Sequence, residues 1–416
     1  MKLAFLFFFL FIFSCSSKDE NLIDLDFYKN QGKKIILFAE EDFSKKNINS
    51  IKKISVKNFV RYNNWSQKNQ NLNNLIQAYD FNISKKIDYI NVKINDYIIY
   101  NEKIFLINNK SELIVYDLDF KKLISKKIYK RKIYNNYNLK FSISGYENKI
   151  FISDNLGNLI CLSSKNLDII WEKSYGVPFK SDVKIYKKNL YVINSNSKLY
   201  SIDAENGELN WSFETSSKYL KDKNSYQIAI FDNKLFFTND SFEIYSVDLK
   251  SKNILWSLTF GKENFNNLPI LFLSSPITID KNGDLFVSTN NGYTYKINAS
   301  NGVVKWSTPI YSTNRFLVTN KYLINTYHDR VFLINKLSGK ILLNKKISNN
   351  KKKFIFKNVV VNKNSIYLFD KNGHLIFINK NDLSEVSFKK NFKNYKDQIF
   401  YKNNLYIDTS YSIEKY

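Results

Sequence analysis

Methionine, histidine, cysteine, proline and glycine are all scarce in this 416-residue sequence, with 1, 2, 2, 4 and 11 copies. Two histidines and two distant cysteines give neither a Cys/His metal spacing nor the arrangement of a histidine-based catalytic triad. So little glycine and proline excludes a collagen-like chain, and an aromatic fraction of 16% excludes a disordered one. No GxGxxG motif or phosphate loop is present. What is abundant, aromatic and β-branched residues, favours strands.

The longest apolar run lies at the N-terminus, from Leu3 to Phe13. It is too short for a transmembrane helix and has the length of a signal-peptide core. It ends in Ile12-Phe13-Ser14-Cys15, which resembles a bacterial lipobox. We therefore predict a signal peptide at residues 1–14 and a lipoprotein anchored by palmitate or a similar acyl chain at Cys15. Ser16 after the cysteine indicates the periplasmic face of the outer membrane; a plain signal peptide with a free cysteine is the alternative.

The formal net charge is +25, and a strongly positive charge is a feature of proteins that bind nucleic acid. The lysines are spread along the chain, largely in turns and on polar strand faces, where they keep sheet edges soluble. The sequence therefore predicts no nucleic-acid partner. Attraction to acidic proteins or anionic lipid headgroups remains an alternative.

Seven segments of fourteen residues align without a gap, and their starts are 37 to 50 residues apart. Each has an apolar run, a short turn rich in Asn, Asp, Gly, Ser and Lys, and a second apolar run that ends mostly at Asp or Asn. This pattern predicts a β-hairpin, and runs apolar on both faces predict strands packed between neighbouring sheets. The segments are residues 104–117, 150–163, 190–203, 235–248, 285–298, 322–335 and 366–379.

A second signature follows the hairpin and is most complete at Asp203, Gly207 and Trp211. The Asp is predicted to cap a turn, the Gly to adopt a left-handed conformation, and the Trp to wedge between blades. Parts of the signature recur in the other copies, at Trp171, Asp248, Trp256, Gly302, Trp306 and Gly339.

An eighth copy, residues 405–416, ends in its second strand, so the last blade lacks its outer strand. A propeller can close by taking that strand from the N-terminus, and residues 54–82 contain candidates such as 57–62 and 75–81. We therefore predict an all-β protein, an eight-bladed β-propeller of four-stranded antiparallel blades at residues 54–416. Residues 15–53 are interpreted as a tether. Seven blades with a stray tail is the alternative.

The hairpin, the turn spacing and the Trp together resemble the tryptophan-docking repeat of PQQ-like propellers. A lipobox, a short tether and eight such blades resemble the BamB family, the lipoproteins of the outer-membrane β-barrel assembly machinery. The segment Asn63-Asn64-Trp65-Ser66-Gln67 is similar to the Asn-x-x-Trp-x-Gln stretch before the first blade in some members.

The resemblance implies a non-catalytic scaffold with no cofactor and no metal. It would dock on the POTRA domains of BamA, with other barrel-assembly subunits and unfolded outer-membrane protein strands as further partners. The family's docking loops correspond to residues 216–226 and 262–275, with contacts expected at Leu220, Lys221, Leu271 and Leu273. The family's acidic docking pair falls on Leu271 and Leu273, so that pair is missing here.

Two other functions remain open. Quinone-dependent dehydrogenases share the repeat and hold a quinone with Ca²⁺, but this chain is shorter and lacks their vicinal cysteine pair. A periplasmic scaffold unrelated to barrel assembly is the third possibility, because a fold does not fix a function. His328 and His374 fall in hairpin turns of different repeats and are interpreted as solvent-facing turn residues.

Overall fold

A computed structural model describes residues 46–416, apart from 82, 84–85, 131–136, 218–224, 261–271, 348–353 and 393. The described residues contain strands and turns and no helix, and therefore no helix that is long and apolar enough to cross a membrane. Eight antiparallel sheets form a ring, which confirms the predicted eight-bladed β-propeller. The predicted signal peptide and Cys15 lie outside the described residues.

Blades 1 to 4 each contain four strands in chain order, running from the central channel to the rim. Blade 1 is β3 (Ile94–Tyr100), β4 (Lys103–Asn108), β5 (Glu112–Asp117) and β6 (Lys122–Lys127); blade 2 is β7 (Phe141–Tyr146), β8 (Lys149–Asp154), β9 (Asn158–Ser163) and β10 (Ile169–Ser174). Blade 3 is β11 (Lys184–Tyr186), β12 (Asn189–Ile193), β13 (Lys198–Asp203) and β14 (Leu209–Glu214); blade 4 is β15 (Ile228–Phe231), β16 (Lys234–Thr238), β17 (Glu243–Asp248) and β18 (Ile254–Thr259).

Blades 5 to 7 repeat this order, and blades 6 and 8 each include a strand from the N-terminal part of the chain. Blade 5 is β19 (Thr278–Ile279), β20 (Asp284–Thr289), β21 (Tyr293–Asn298) and β22 (Val304–Thr308); blade 6 is β23 (Leu317–Val318), β24 (Tyr322–Tyr327), β25 (Arg330–Asn335) and β26 (Ile341–Lys346), joined by β1 (Ile48–Asn49). Blade 7 is β27 (Phe356–Val361), β28 (Ser365–Asp370), β29 (His374–Asn379) and β30 (Glu385–Asn391); blade 8 is β31 (Asp397–Tyr401), β32 (Asn404–Asp408), β33 (Ser412–Lys415) and β2 (Asp88–Asn91).

The aligned fourteen-residue segments form the two middle strands of each blade; residues 104–117, for example, span β4 and β5. Because the strands alternate in direction, the ring has two distinct faces. The turn face carries the turns after the first and third strands, such as residues 101–102 and 118–121. The connection face carries the turn after the second strand, such as residues 109–111, and the links between blades.

The ring closes through β2, which pairs with β33 and forms the outer strand of blade 8. Closure from the N-terminus is thereby confirmed, but the candidate strands at 57–62 and 75–81 were wrong. Only Ile90 of β2 is buried, because an outer strand has one neighbouring sheet at most, so its sequence carries a weak apolar signal. The more apolar stretch before it lies in the channel instead.

Tryptophan residues join neighbouring blades at the predicted turn signature. Trp171 Nε1 donates to the Ala204 carbonyl at 3.2 Å, and the indole covers Gly207 of the next blade. Trp256 and Trp306 make the same contact with Gly302 and Gly339, and their Nε1 atoms donate to Ala299 and Lys336 carbonyls at 3.1 and 3.2 Å. Trp211 lies half-buried with its ring 6.1 Å from that of Tyr191.

The Asp and Gly of this signature form the turn that receives the Trp. Asp203 Oδ1 accepts the main-chain N–H groups of Glu205 and Asn206, and Gly207 has a φ of 71°. Asp248 does the same at the next turn, where bonds from Ser251 lower the pKa of its carboxyl. The left-handed Gly brings the backbone against the indole with no side chain between them.

We predict that Gly302→Ala destabilises the propeller by about 2–4 kcal/mol, because the new Cβ combines left-handed strain with a clash. That Cβ would lie 2.8 Å from a ring carbon of Trp256. Gly176→Ala is the matched control, since Gly176 has a φ of 66° and nothing within 4 Å of the added Cβ. Urea unfolding of both variants measures the difference, and equal losses would contradict the docking contact.

Candidate functional site

Residues 62–79, which we call the plug segment, bond to the inner strand or inner turn of every blade. Along the chain the contacts go to blade 8, blade 1 and then blades 2 to 7 in ring order, so the segment makes one circuit of the central channel. The bonds, donor first, are Lys402 N to Tyr62 O, Ile99 N to Trp65 O, Gly145 N to Ser66 O, Lys184 Nζ to Lys68 O and Asn71 O, Ile230 N to Leu72 O, Ile279 N to Asn73 O, Val318 N to Ile76 O, and Tyr79 N to Val361 O.

The plug segment occupies the end of the channel that opens on the turn face. Most of its partners come late in their strands: Ile99 and Gly145 are next to last in β3 and β7, and Val361 is the last residue of β27. An inner strand of a propeller has an open edge toward the channel, where unpaired backbone groups would be costly if buried. The plug segment supplies the partners for these groups.

Aromatic side chains anchor the plug segment to the closing blade. Trp65 is 3% exposed and its ring lies 5.6 Å from Tyr62 and 6.3 Å from Phe400. The rings of Tyr79 and Phe400 are 4.7 Å apart. The Trp65 motif singled out in the sequence is therefore a packing anchor at the junction of blades 8 and 1.

Asn74 fastens the plug segment to two blades at once. Its side chain is 1% exposed, and Nδ2 donates to the carbonyls of Ile228 and Ile277 at 2.9 Å each. An aliphatic residue of the same size would leave both carbonyls without this donor. The Asn74 side chain thus bonds to the blades at the centre of the ring, as the backbone of neighbouring residues in the plug segment does.

Charged side chains fill the channel on the connection-face side of the plug. Lys68 Nζ lies 3.9 Å from Asp96 and 3.5 Å from Asp397. Arg315 reaches Asp397 at 3.5 Å and donates to Asn69 Oδ1 at 3.2 Å. Burial raises the pKa of Asp96; for Asp397 burial acts the same way, but Arg315 and Lys68 outweigh it and lower the pKa.

Lys184 bonds to the plug segment through a buried amine. It is 1% exposed, and Nζ donates to the Lys68 and Asn71 carbonyls at 2.7 and 2.6 Å. Burial lowers the pKa of Lys184 to about 7, although nearby Asp182 opposes the fall. Nothing in the sequence distinguishes Lys184 from other lysines. In the structure it donates hydrogen bonds to the plug segment, and its pKa lies near neutral pH.

The channel residues do not fit a quinone held by Ca²⁺. In the described part of the chain no three His, Cys, Asp or Glu side chains are placed together to hold a metal ion. Two carboxylates that face the channel, Asp96 and Asp397, already lie against cations. Cys161 is fully buried, and burial raises the pKa of its thiol to about 12, so it is not a reactive thiol.

The two histidines lie in hairpins of different blades, 6 and 7. His328 is exposed in the turn between β24 and β25, as expected. The expectation of a solvent-facing turn residue was wrong for His374, which begins β29, with its Nδ1 2.9 Å from Asp370 and 23% of its side chain exposed. The Asp370 carboxylate is fully buried, which explains why the ring turns inward.

A groove of about 370 Å³ opens on the connection face between the links that enter blades 4 and 5. Phe272 and Leu273 form one side, Tyr226 forms the other, and Asp240 lies at the base. Asp240 is 5% exposed and accepts hydrogen bonds from Ser197, Ser217 and Tyr226 at 3.3 Å. The groove therefore combines apolar side chains with a mostly polar lining that includes one buried carboxylate.

The predicted docking residues belong to these two links. Leu220, Lys221 and Leu271 lie outside the described residues. Leu273 is half-buried and pairs with Asn290, whose backbone N–H donates to the Leu273 carbonyl at 2.9 Å. The sequence showed that the family's acidic pair is missing from these loops. It did not identify Asp240 as a residue of the site; Asp240 lies in the turn of blade 4 between the two links. Only the pairing of strands brings that turn between the two links.

The eight blades define the class of this protein, an eight-bladed β-propeller, in which docked tryptophans join blades 2 and 3, 4 and 5, and 5 and 6. The family model described as outer membrane protein assembly factor BamB matches residues 141–342. The match starts at the first residue of β7 and ends in β26, so it covers blades 2 to 6. No curated protein matches the sequence.

Solved structures share the fold at low sequence identity. BamB from Moraxella catarrhalis is 14% identical with a TM-score of 0.64, covering 80% of this chain and 98% of that one. A europium-containing methanol dehydrogenase is 8% identical with a TM-score of 0.62, covering 83% and 89%. The quinohemoprotein alcohol dehydrogenase from Comamonas testosteroni is 9% identical with a TM-score of 0.61, covering 86% and 78%. These likenesses establish the fold alone.

We predict that Asn74→Ala lowers the free energy of unfolding by about 1–3 kcal/mol, because two buried carbonyls lose their donor. Asn63→Ala, at an exposed position within the plug segment, is the control and should change stability by less than about 0.5 kcal/mol. Chemical unfolding followed by tryptophan fluorescence measures both. Equal effects would show that the hydrogen bonds of Asn74 add nothing to stability.

The lowered pKa of Lys184 predicts a pH dependence of stability. Between about pH 7 and its ordinary value, the unfolded chain binds a proton that the folded chain lacks, so stability rises with pH. Lys184→Met should therefore reduce the slope of unfolding free energy between pH 7 and 9 by up to about 1.4 kcal/mol per pH unit. Lys173→Met, on exposed β10, is the control; an unchanged slope in Lys184→Met would contradict the buried amine.

Proposed function

We propose that this protein is a non-catalytic scaffold of the outer-membrane β-barrel assembly complex, which docks on the POTRA domains of BamA and assists outer-membrane protein insertion. The observation that carries the proposal is the match of residues 141–342 to the BamB family model. The likeness of fold to BamB from Moraxella catarrhalis, which covers 98% of that protein, supports it.

The architecture of the channel also supports a scaffold. The plug segment closes the turn-face end through bonds to all eight blades, and the charges on the other side are paired with one another. Recognition is then left to the outer surfaces of the propeller, of which the connection face offers a groove. A rigid disc with exposed loops is a suitable platform for protein partners.

The docking face in this proposal is the groove between the links that enter blades 4 and 5. Leu220, Lys221, Leu271 and Leu273 would contact the partner there, beside the buried Phe272. Asp240 in the intervening turn and Glu243 at the start of β17 supply acidic groups, and Glu243 accepts from Asn239 Nδ2 at 2.6 Å. A basic partner strand or loop would complement that acidic base.

In this proposal Cys15 carries the acyl chains and residues 15–53 tether the propeller to the periplasmic face of the outer membrane. The net charge of +25 would draw the propeller toward anionic headgroups and acidic partners. The proposal includes no cofactor and no nucleic acid. A periplasmic scaffold for another partner would use the same anchor.

A dehydrogenase is the second candidate, favoured by the likeness of fold to two alcohol-oxidising enzymes. The poor fit of the channel residues to a metal-supported quinone argues against it. Titration with quinone and Ca²⁺ tests it directly: a saturable new absorbance band would support the enzyme, and an unchanged spectrum would support the scaffold.

We predict that the full-length chain binds immobilised POTRA domains of BamA from the same organism saturably. The double variant Leu220→Ala/Lys221→Ala should weaken that binding about tenfold or more, as for an interface anchor. The control is Leu337→Ala, since Leu337 is 83% exposed on the opposite, turn face. Surface plasmon resonance gives the dissociation constants. No binding at tens of micromolar, or equal loss in both variants, would contradict the proposed docking face.

A further inference from the structure

A pocket of about 660 Å³ opens on the turn face between blades 7 and 8. It is lined by the chain where it enters and leaves the channel, at residues 59–61 and 79–81, and by the turns after the first strands of the two blades, at residues 362–364 and 402–403. Tyr367 of β28 completes the described lining. The groove proposed for docking lies on the connection face, so the two sites are on opposite faces of the propeller.

Hydrogen bonds fix the walls of this pocket. Val60 pairs with Tyr79 in a parallel bridge, and the Tyr79 hydroxyl donates to the Lys402 carbonyl. Asn362 Nδ2 donates to the Phe81 carbonyl at 3.2 Å. Tyr79, Phe81 and Asn362 are 1%, 6% and 7% exposed. The pocket is therefore formed before a ligand arrives, which favours binding.

Positive charges outnumber negative ones around the pocket. Arg61, Lys363 and Lys402 line it, whereas Asp80 is the one carboxylate in the described lining. Lys363 Nζ lies 2.5 Å from Asp80 Oδ2. Lys402 Nζ lies 2.5 Å from Glu102 Oε1, in a turn of blade 1. Arg61 is exposed and makes no ion pair within the part of the chain that the structure describes.

Subtracting one carboxylate from three cations leaves two positive charges on the lining, which suits a phosphate group. The hydrogen bond to Glu102 raises the pKa of Lys402, and the nearby positive charge of Arg61 opposes that rise. An anion between two such cations relieves their repulsion. Arginine binds phosphate oxygens through two parallel N–H bonds, and lysine binds them as a point charge. A phosphate monoester, with about two negative charges at neutral pH, matches the surplus.

Aromatic side chains supply the rest of the wall. Phe59 and Tyr367 are half-buried, and both line the pocket. The Tyr367 ring lies 5.0 Å from the Phe81 ring, and its hydroxyl accepts from Asn362 Nδ2 at 3.0 Å. Rings in this position pack against the planar or apolar part of a ligand. A volume of about 660 Å³ also far exceeds that of a bare phosphate ion, so the pocket suits a larger molecule.

We propose that this pocket binds a small phosphate monoester that carries a ring, with the phosphate held by Arg61 and Lys402 and the ring packed against Phe59 and Tyr367. The proposal is independent of the scaffold function, because the pocket and the docking groove lie on opposite faces. The ligand would contact chain segments that meet only when the propeller is closed. It would therefore bind the folded protein and stabilise it.

The test is isothermal titration calorimetry of the full-length chain with phenyl phosphate. We expect saturable binding of one phenyl phosphate per chain. Inorganic phosphate, which lacks the ring, and benzoate, which carries one negative charge, should each bind at least about tenfold more weakly. Arg61→Gln should weaken binding of phenyl phosphate about tenfold or more, because it removes charge-assisted hydrogen bonds. Lys173→Gln, on exposed β10, is the matched control and should not change the affinity.

Thermal unfolding gives a second measurement on the same proteins. Phenyl phosphate should raise the melting temperature of the wild type and of Lys173→Gln, and should raise that of Arg61→Gln less at the same concentration. Equal affinity of the wild type and Arg61→Gln, equal affinity for phenyl phosphate and either other probe, or no saturation by about 10 mM would overturn the proposal. Binding only to phosphatidylcholine vesicles that contain phosphatidic acid would also overturn it, by assigning the phosphate to a lipid.

Discussion

The whole ring depends on backbone hydrogen bonds at the channel-facing edges of its inner strands. A propeller solves the problem of strand edges at its rim by bulges and charges, but at the centre eight edges converge with little room for water. Here one segment bonds to each blade in turn, from Tyr62 against blade 8 to Tyr79 against blade 7, mostly through backbone groups and at blade 3 through the Lys184 side chain. The blades are thus joined from the inside by the plug segment, and docked indoles join blades 2 and 3, 4 and 5, and 5 and 6.

This arrangement accounts for the distribution of charge. The plug segment brings Lys68 into the channel, where Asp96, Asp397 and Arg315 surround it, so the centre is polar and internally balanced. The excess positive charge of the chain must then lie elsewhere.

Periodicity made most of the fold predictable. The seven aligned segments became the middle strands of seven blades because these strands are buried on both faces and carry a strong, repeated apolar signal. The Asp, Gly and Trp signature was predictable for the same reason, since a fixed turn must present a left-handed residue to an indole. β2 was misplaced because an outer strand has little to bury, and only Ile90 marks it.

The site was less predictable than the fold, because it depends on contacts between distant parts of the chain. The Trp65 motif was recognised as a resemblance, but nothing local shows that its neighbours bond to eight different blades. Lys184 and Asp240 look like any other charged residues in sequence; their burial follows only from what packs over them. The docking loops remain a prediction that depends on resemblance alone, and the position of Asp240 beside the groove follows from the three-dimensional arrangement of blade 4.

Closure by β2 and the plug segment also sets the order in which the native structure can form. Tyr79 bonds to the Lys402 carbonyl, a residue 323 positions later in the chain. The segment made first therefore has to wait for the last blade, and contacts of such long sequence separation form slowly. Until the C-terminal strands arrive, both ends of the arc are unpaired sheet edges prone to aggregation. A chain with this topology needs protection until its final residues have been made.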